Sequence, residues 1–113
     1  MNFETSINKS KPITIDGKEY IASCLSVSDL NDASELIFKR AKEIDSTATK
    51  MSLYETAINL VFNNPHLALY AALAKNHPDI EFKMIDSLNL VSSPDTTELI
   101  AYLVGVELQK KTL

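Results

Sequence analysis

The sequence predicts an α+β protein that is mainly α-helical, with an N-terminal β-hairpin followed by a bundle of four to five helices. Asp16 and Gly17 lie between two short runs of alternating apolar residues, which is the strongest short-range signal of a hairpin. No later segment alternates with a period of two. Polar cap residues or prolines instead precede apolar stretches of helical spacing. Strands are therefore expected first and helices after them.

The chain length of 113 residues favours one domain. Residues 1–11 are mostly polar and are predicted to form a flexible N-terminal arm. Residues 12–113 show no repeat and no break in composition, so they are predicted to form a single domain.

The hairpin is predicted at residues 12–23. A two-residue turn pairs Ile15 with Lys18 and Ile13 with Tyr20. The apolar face of this ribbon consists of Ile13, Ile15, Tyr20 and Ala22. Because a two-stranded ribbon is marginal alone in water, we expect either the helices or strands of another chain to cover it.

The first helix is predicted at about residues 27–45. Ser26 or Ser28 can cap its first turn, and Asp29 suits the positive end of the helix dipole. One side of the helix is apolar and is formed by Leu30, Ala33, Leu36, Ile37, Ala41 and Ile44. Phe38 lies outside this arc, so we expect it to contact a partner rather than the core.

Four further helices are predicted at about residues 52–63, 65–75, 79–88 and 94–110. Ser52 and Glu55 form a capping box at the start of the second helix. Asn64 is predicted to cap the third helix, with Pro65 at its first helical position.

Two apolar stretches, residues 67–74 and 99–106, leave the third and last helices apolar on most sides. Such helices are central in a bundle or form part of an interface. Gly105 within the second stretch indicates either the close approach of another helix or the end of its own helix.

The apolar helix surface exceeds what a short monomer easily hides, which favours self-association or binding of a partner. A well-filled core is the alternative interpretation. The residues expected to form core plus contact surface are Leu69, Tyr70, Leu73, Leu99, Tyr102 and Leu103, and Phe38 joins them as a predicted partner-binding residue. We therefore predict a homo-oligomer.

Composition and charge exclude several classes of protein. The net charge is −4 and the 11 basic residues are scattered, so we do not expect nucleic-acid binding. The two longest apolar stretches are far shorter than the roughly 20 residues of a membrane span. The N-terminus lacks the pattern of a secretory signal, and a single cysteine, Cys24, fits a reducing cytoplasm.

No constellation for catalysis, metal binding or cofactor binding is visible. His66 and His77 lack the spacing of metal ligands and are expected near helix ends or facing solvent. Cys24 has no histidine nearby in sequence and is expected to be a small core residue. With two glycines in the chain, no glycine-rich phosphate loop exists. We expect a protein that is not an enzyme.

Four segments together resemble the small tail assembly chaperones of tailed bacteriophages. They are Ile-Asp-Gly-Lys-Glu-Tyr at residues 15–20, Leu-Ser-Val-Ser-Asp-Leu at 25–30, Ala-Ala-Leu-Ala-Lys-Asn-His-Pro-Asp-Ile at 71–80 and Thr-Glu-Leu-Ile-Ala-Tyr-Leu-Val-Gly at 97–105. The resemblance implies a non-catalytic protein that oligomerises and keeps the helical tape-measure protein soluble. It also implies a location in the host cytoplasm during assembly.

Two other functions stay open at this point. A stoichiometric component of the phage neck, tail or baseplate would remain in the virion, and the polar N-terminal arm would suit contact with neighbouring subunits. A small enzyme with a site assembled from scattered residues is the third hypothesis, and the absence of a paired nucleophile and base counts against it.

Overall fold

The computed structural model describes residues 10–90 and 94–106. Within these residues two strands come first and five helices follow, which confirms the predicted α+β, mainly helical class. The strands are β1 (Ser10–Ile15) and β2 (Lys18–Ser23), and the helices are α1 (Val27–Ile44), α2 (Leu53–Phe62), α3 (Pro65–Ala74), α4 (Phe82–Asp86) and α5 (Pro94–Val104). The helix α3 has a central position, because it contacts β2, α2, α4 and α5.

The strands β1 and β2 form the predicted antiparallel hairpin. Ile15 pairs with Lys18 across a two-residue turn, and the other predicted pair is present as well. Asp16 and Gly17 both have positive φ angles, 52° and 80°, which is the conformation of a type I′ turn. The turn residues therefore set the register of the whole hairpin.

The strand β1 begins earlier than predicted. Ser10 and Lys11 had been assigned to the N-terminal arm, but they pair with Ser23 and Ala22. The register that the turn establishes continues two residues past the predicted boundary. The rest of the predicted arm, residues 1–9, lies outside the described residues.

Helices of the same chain cover the apolar face of the hairpin. The sequence had left open whether helices or strands of another chain would do so. Ile15 and Ala22 are buried, and Ile13 and Tyr20 pack against the same core. The last turn after α3 also binds the backbone of β2. The Ile21 N–H donates to His77 Nε2 at 2.9 Å, and Asn76 Nδ2 donates to the Ile21 carbonyl at 3.1 Å.

The first helix, α1, is close to its predicted range. Ser26 is its N-cap, and a capping box joins the Ser26 side chain to the Asp29 N–H and the Asp29 carboxylate to the Ser26 N–H. Ser34 is the one side chain among its 18 residues that is buried, and its hydroxyl donates to the Met51 carbonyl at 3.2 Å. Most of the predicted apolar arc is therefore only partly covered.

The helices α2 and α3 also start at the predicted signals. Ser52 and Glu55 form the predicted capping box. Asn64 is the N-cap residue of α3 and Pro65 begins the helix, as predicted, but the Asn64 side chain makes no cap hydrogen bond. The Asn64 side chain instead donates to the Asn59 side chain in the last turn of α2.

The helix α4 is much shorter than the predicted range of 79–88. The helix begins at Phe82 rather than at residue 79. The Ile80 N–H donates to the His77 carbonyl at 3.0 Å, which closes a turn that contains Pro78. The Glu81 side chain then makes no cap hydrogen bond at the start of α4.

The helix α5 ends at Val104, before the predicted residue 110. Gly105 has a φ of 87°, and the Val106 N–H donates to the Ala101 carbonyl at 2.9 Å, which is a Schellman C-cap. Among the described residues no neighbouring atom lies within 4 Å of the position of a Gly105 Cβ, so Gly105 ends the helix and does not make room for another one. Residues 107–110 lie outside the described residues, as does Ser93 of the predicted start signal.

The core lies between α2, α3, α4 and α5. Its largest fully buried apolar side chains are Leu60, Leu73, Ile85, Ile100 and Leu103. The Leu25 N–H donates to the Leu103 carbonyl at 2.8 Å, so the segment between β2 and α1 caps the end of α5. Among residues 10–90 and 94–106, no helix combines the length and apolar character needed to cross a membrane.

Candidate functional site

An open apolar groove separates α1 from α3. It has a volume of about 360 Å³, and the α2 residue Leu60 contributes to its floor. Ala33 and Leu36 belong to the α1 wall, whereas Tyr70 and Ala71 belong to the α3 wall. Small alanine side chains leave room between the two helices, so this groove is shaped to receive an apolar side chain or one face of a helix.

A charged pair closes one end of the groove. Lys75 Nζ lies 2.5 Å from Asp29 Oδ2 and also donates to the Cys24 carbonyl at 3.1 Å. Partial burial by itself raises the pKa of the Asp29 carboxyl. Hydrogen bonds from Lys75 and from Ser26 outweigh this effect and hold that pKa below its usual value. The groove is thus bounded by fixed negative charge on its α1 side and by the Lys75 ammonium at its end.

A second, shallower concavity lies on the outer face of α1. Its volume is about 730 Å³, and Phe38 contributes an aromatic ring to it. The Lys42 ammonium lies 5.7 Å from the centre of that ring, at cation–π distance. Asp32 and Leu36 line both this concavity and the groove, so the two adjoin along α1.

Three of the seven predicted contact residues are core side chains. Leu69 is 2% exposed, and Leu73 and Leu103 are 0% exposed. These three residues have the core function that the sequence predicts, but their burial leaves no surface for a partner in this fold. Of the seven predicted residues, only the other four have side chains that a partner could contact.

The other four predicted residues are not brought together into one site. Tyr70 lines the groove and stacks edge-to-face on Phe82, with ring centroids 5.5 Å apart, while Phe38 lies on the outer face of α1. Leu99 lines a separate cavity of about 290 Å³ beside β1. Tyr102 is 39% exposed, and the Lys11 ammonium lies 5.5 Å from its ring.

Sequence reasoning missed an apolar stripe on α2 whose two aromatic side chains are exposed. Tyr54, Ile58 and Phe62 recur every four residues, and the two aromatic side chains are 73% and 53% exposed. The signal was present in the spacing of these residues. It was hidden because Ala57 and Val61, which are buried, lie beside them on the same helix.

The histidines and the cysteine have structural contacts. His66 and His77 lie at the two ends of α3, which is one of the two expected positions. Each joins distant segments, because His66 Nε2 donates to the Leu88 carbonyl and His77 Nε2 accepts from the Ile21 N–H. Cys24 is half-buried, and its thiol lies 3.6 Å from the Tyr102 carbonyl. In the described part of the chain, no group of three or more His, Cys, Asp or Glu side chains is placed to hold a metal ion.

Comparisons with known proteins returned no significant similarity. No protein-family model, no curated protein and no solved structure matches this chain. The function is therefore argued from the groove and the surfaces beside it.

Proposed function

We propose that this protein is a non-enzymatic tail assembly chaperone of a tailed bacteriophage. In this proposal it acts as an oligomer in the host cytoplasm and holds a helical segment of a tail protein, such as the tape-measure protein. The groove between α1 and α3 is the observation that carries the proposal. Its apolar lining, including Leu36 and Tyr70, stays open in the part of the chain that the structure describes.

The groove also indicates the kind of segment that would bind. Its apolar walls fit the apolar face of an amphipathic helix, which recurs every three to four residues. Asp29 and Asp32 border the α1 side only. A client helix with lysine or arginine along one flank would therefore be oriented by Asp32, since Asp29 is already paired with Lys75.

A groove-filling variant tests the proposal. Ala71 is partly exposed and lines the groove, so Ala71→Leu places a larger side chain in the binding space. Ala41→Leu is the matched control, because Ala41 is also partly exposed on a helix but lines neither concavity. Wild type and the Ala41→Leu variant are expected to raise the soluble yield of co-expressed tape-measure fragments, and the Ala71→Leu variant is not.

Equal solubility of the fragments with and without the wild-type protein would contradict the chaperone proposal. A loss of function in both alanine variants would show that the groove is not the binding site. Circular dichroism of the purified variants separates either result from a general loss of folding.

A stoichiometric component of the phage particle is the second candidate function. The apolar stripe of Tyr54, Ile58 and Phe62, whose two aromatic side chains are exposed, supports it, because a structural subunit needs more than one contact surface. Such a protein would be present in purified mature particles. Mass spectrometry of those particles distinguishes the two functions, since an assembly chaperone is expected to be absent from them.

A further inference from the structure

The helix α1 is long and little of its surface is covered. Its 18 residues span about 27 Å, whereas the 10 residues of its neighbour α2 span about 15 Å. Ser34 is its one buried side chain, and Ile44 at its end is 90% exposed. The outer side of α1 is therefore available to another molecule.

Leu36 is the apolar centre of this open surface. It lies at the middle of α1 and borders both the groove and the outer concavity. On a helical projection Asp32, Lys39 and Arg40 lie within about 60° of Leu36, on the same side of the helix. In the described part of the chain none of these three charged side chains has a hydrogen-bond or ion-pair partner.

The charges of α1 are separated along its length. The half formed by residues 27–35 has three acids and no base, whereas the half formed by residues 36–44 has three bases and one acid. The acids of the first half are Asp29, Asp32 and Glu35, and the charged residues of the second half are Lys39, Arg40, Lys42 and Glu43. A helix with this pattern is complementary to a reversed copy of itself.

We propose that the open side of α1 binds α1 of a second copy of this chain in antiparallel orientation, with a two-fold axis next to Leu36. The two Leu36 side chains then meet at the axis. Asp32 lies about 6 Å from the axis along the helix, and Lys39 and Arg40 lie about 4.5 and 6 Å away on the other side. Each copy's Asp32 thus faces Lys39 and Arg40 of the second copy.

Two like-charged contacts remain, and each is compensated. In this arrangement Glu43 approaches Asp29 of the second copy, and Lys75 neutralises Asp29 within its own chain. The two Glu35 side chains lie beside the axis, and each is paired with Lys50 of its own chain. A two-fold axis also repeats every favourable contact, which is why self-complementary surfaces form closed dimers. This inference concerns the free protein and does not rest on the proposed chaperone function. Because Leu36 and Asp32 also line the groove, the second copy and a client helix would compete for this side of α1.

Charge reversal tests the arrangement. Analytical ultracentrifugation at micromolar concentration and low salt is expected to show a dimer for the wild type and weaker association at high salt. Asp32→Arg alone, and Lys39→Glu together with Arg40→Glu, should each weaken dimerisation at least tenfold. The combination of all three substitutions should restore the dimer, because opposite charges face each other again.

Lys83→Glu on α4 is the control, and it should leave the dimer unchanged because Lys83 is exposed away from α1. A monomeric wild type, or a combined variant that stays monomeric, would overturn the proposal. Circular dichroism confirms that each variant is folded.

Cross-linking tests the position of the axis independently. In a Cys24→Ala background, Leu36→Cys should cross-link to itself with a short bismaleimide reagent. Val27→Cys lies about 14 Å from the axis, so its two copies are about 27 Å apart and should not cross-link. Equal yields at the two positions, or none at residue 36, would refute the antiparallel pairing.

Discussion

Asp29 connects the start of α1 with the end of α3, so its removal is expected to destabilise the protein. Its Oδ2 atom accepts from the Ser26 N–H at 2.7 Å and from Ser26 Oγ at 3.0 Å, and it lies 2.5 Å from Lys75 Nζ. An N-terminal capping contact contributes about 1 kcal/mol. A partly exposed ion pair adds roughly 0.5 kcal/mol. We therefore expect Asp29→Ala to lower the free energy of unfolding by about 1–2 kcal/mol at neutral pH.

The effect of this substitution should depend on pH. Burial raises the pKa of Asp29, but the hydrogen bonds from Lys75 and Ser26 lower it by more, so the folded state holds the Asp29 proton less tightly than the unfolded state. The stabilisation is therefore present above the ordinary Asp pKa of about 4, and it is lost as the pH falls through the lower folded value. The difference between wild type and Asp29→Ala should shrink in that acid range.

Urea unfolding followed by circular dichroism, at neutral and at acid pH, measures this difference. Glu19→Ala is the control, because Glu19 is an exposed acid outside the groove and the proposed dimer contact and has no ion-pair partner among the described residues. Lys75→Ala should lower the free energy of unfolding by only about 0.5 kcal/mol, because it removes the ion pair and leaves the capping contact in place. Equal midpoints for wild type and Asp29→Ala at neutral pH, or a difference that persists unchanged in acid, would refute the reasoning.

Three further substitutions test other parts of the structure. Gly17→Val should cost about 1–3 kcal/mol in urea unfolding, because a β-branched residue resists the positive φ of the turn; an unchanged midpoint would contradict this. Leu73→Ala should cost about 2–5 kcal/mol through a core cavity, whereas the exposed Tyr54→Ala should change stability by less than about 0.5 kcal/mol. Phe38→Ser should change the thermal midpoint little but weaken binding of a client or neighbour in a pull-down assay. Unimpaired binding by that variant would exclude Phe38 as a contact.

Features that depend on a few neighbouring residues were predictable. The hairpin register follows from a two-residue turn, whose φ angles only residues such as Asp16 and Gly17 adopt readily. The capping boxes at Ser26 and Ser52 each join residues three apart, so they form wherever the chain carries that pattern. Local chemistry alone decides these features.

The end of α5 shows where local information was insufficient. A glycine within a helical pattern fits either a close neighbour or a C-cap, and both interpretations were open for Gly105. The structure selects the C-cap, because Gly105 has a φ of 87° and the Val106 N–H donates to the Ala101 carbonyl. At the same helix end the Leu103 carbonyl accepts from the Leu25 N–H, a donor that is distant in sequence and that no local pattern contains.

The sequence by itself determined the α+β class, the hairpin and the start of most helices, since these depend on turns, caps and periodicity. Only the tertiary structure decided which apolar surface is core and which stays open. Leu73 and Tyr70 belong to the same apolar helix, yet Leu73 is fully buried and Tyr70 lines the groove. The apolar arc of α1 has the spacing of a buried helix face. This helix packs mainly on α2, which is shorter, so part of the arc stays uncovered. The physical reason is that periodicity reports how much apolar surface a helix has, whereas the position of its neighbours decides how much of it is covered.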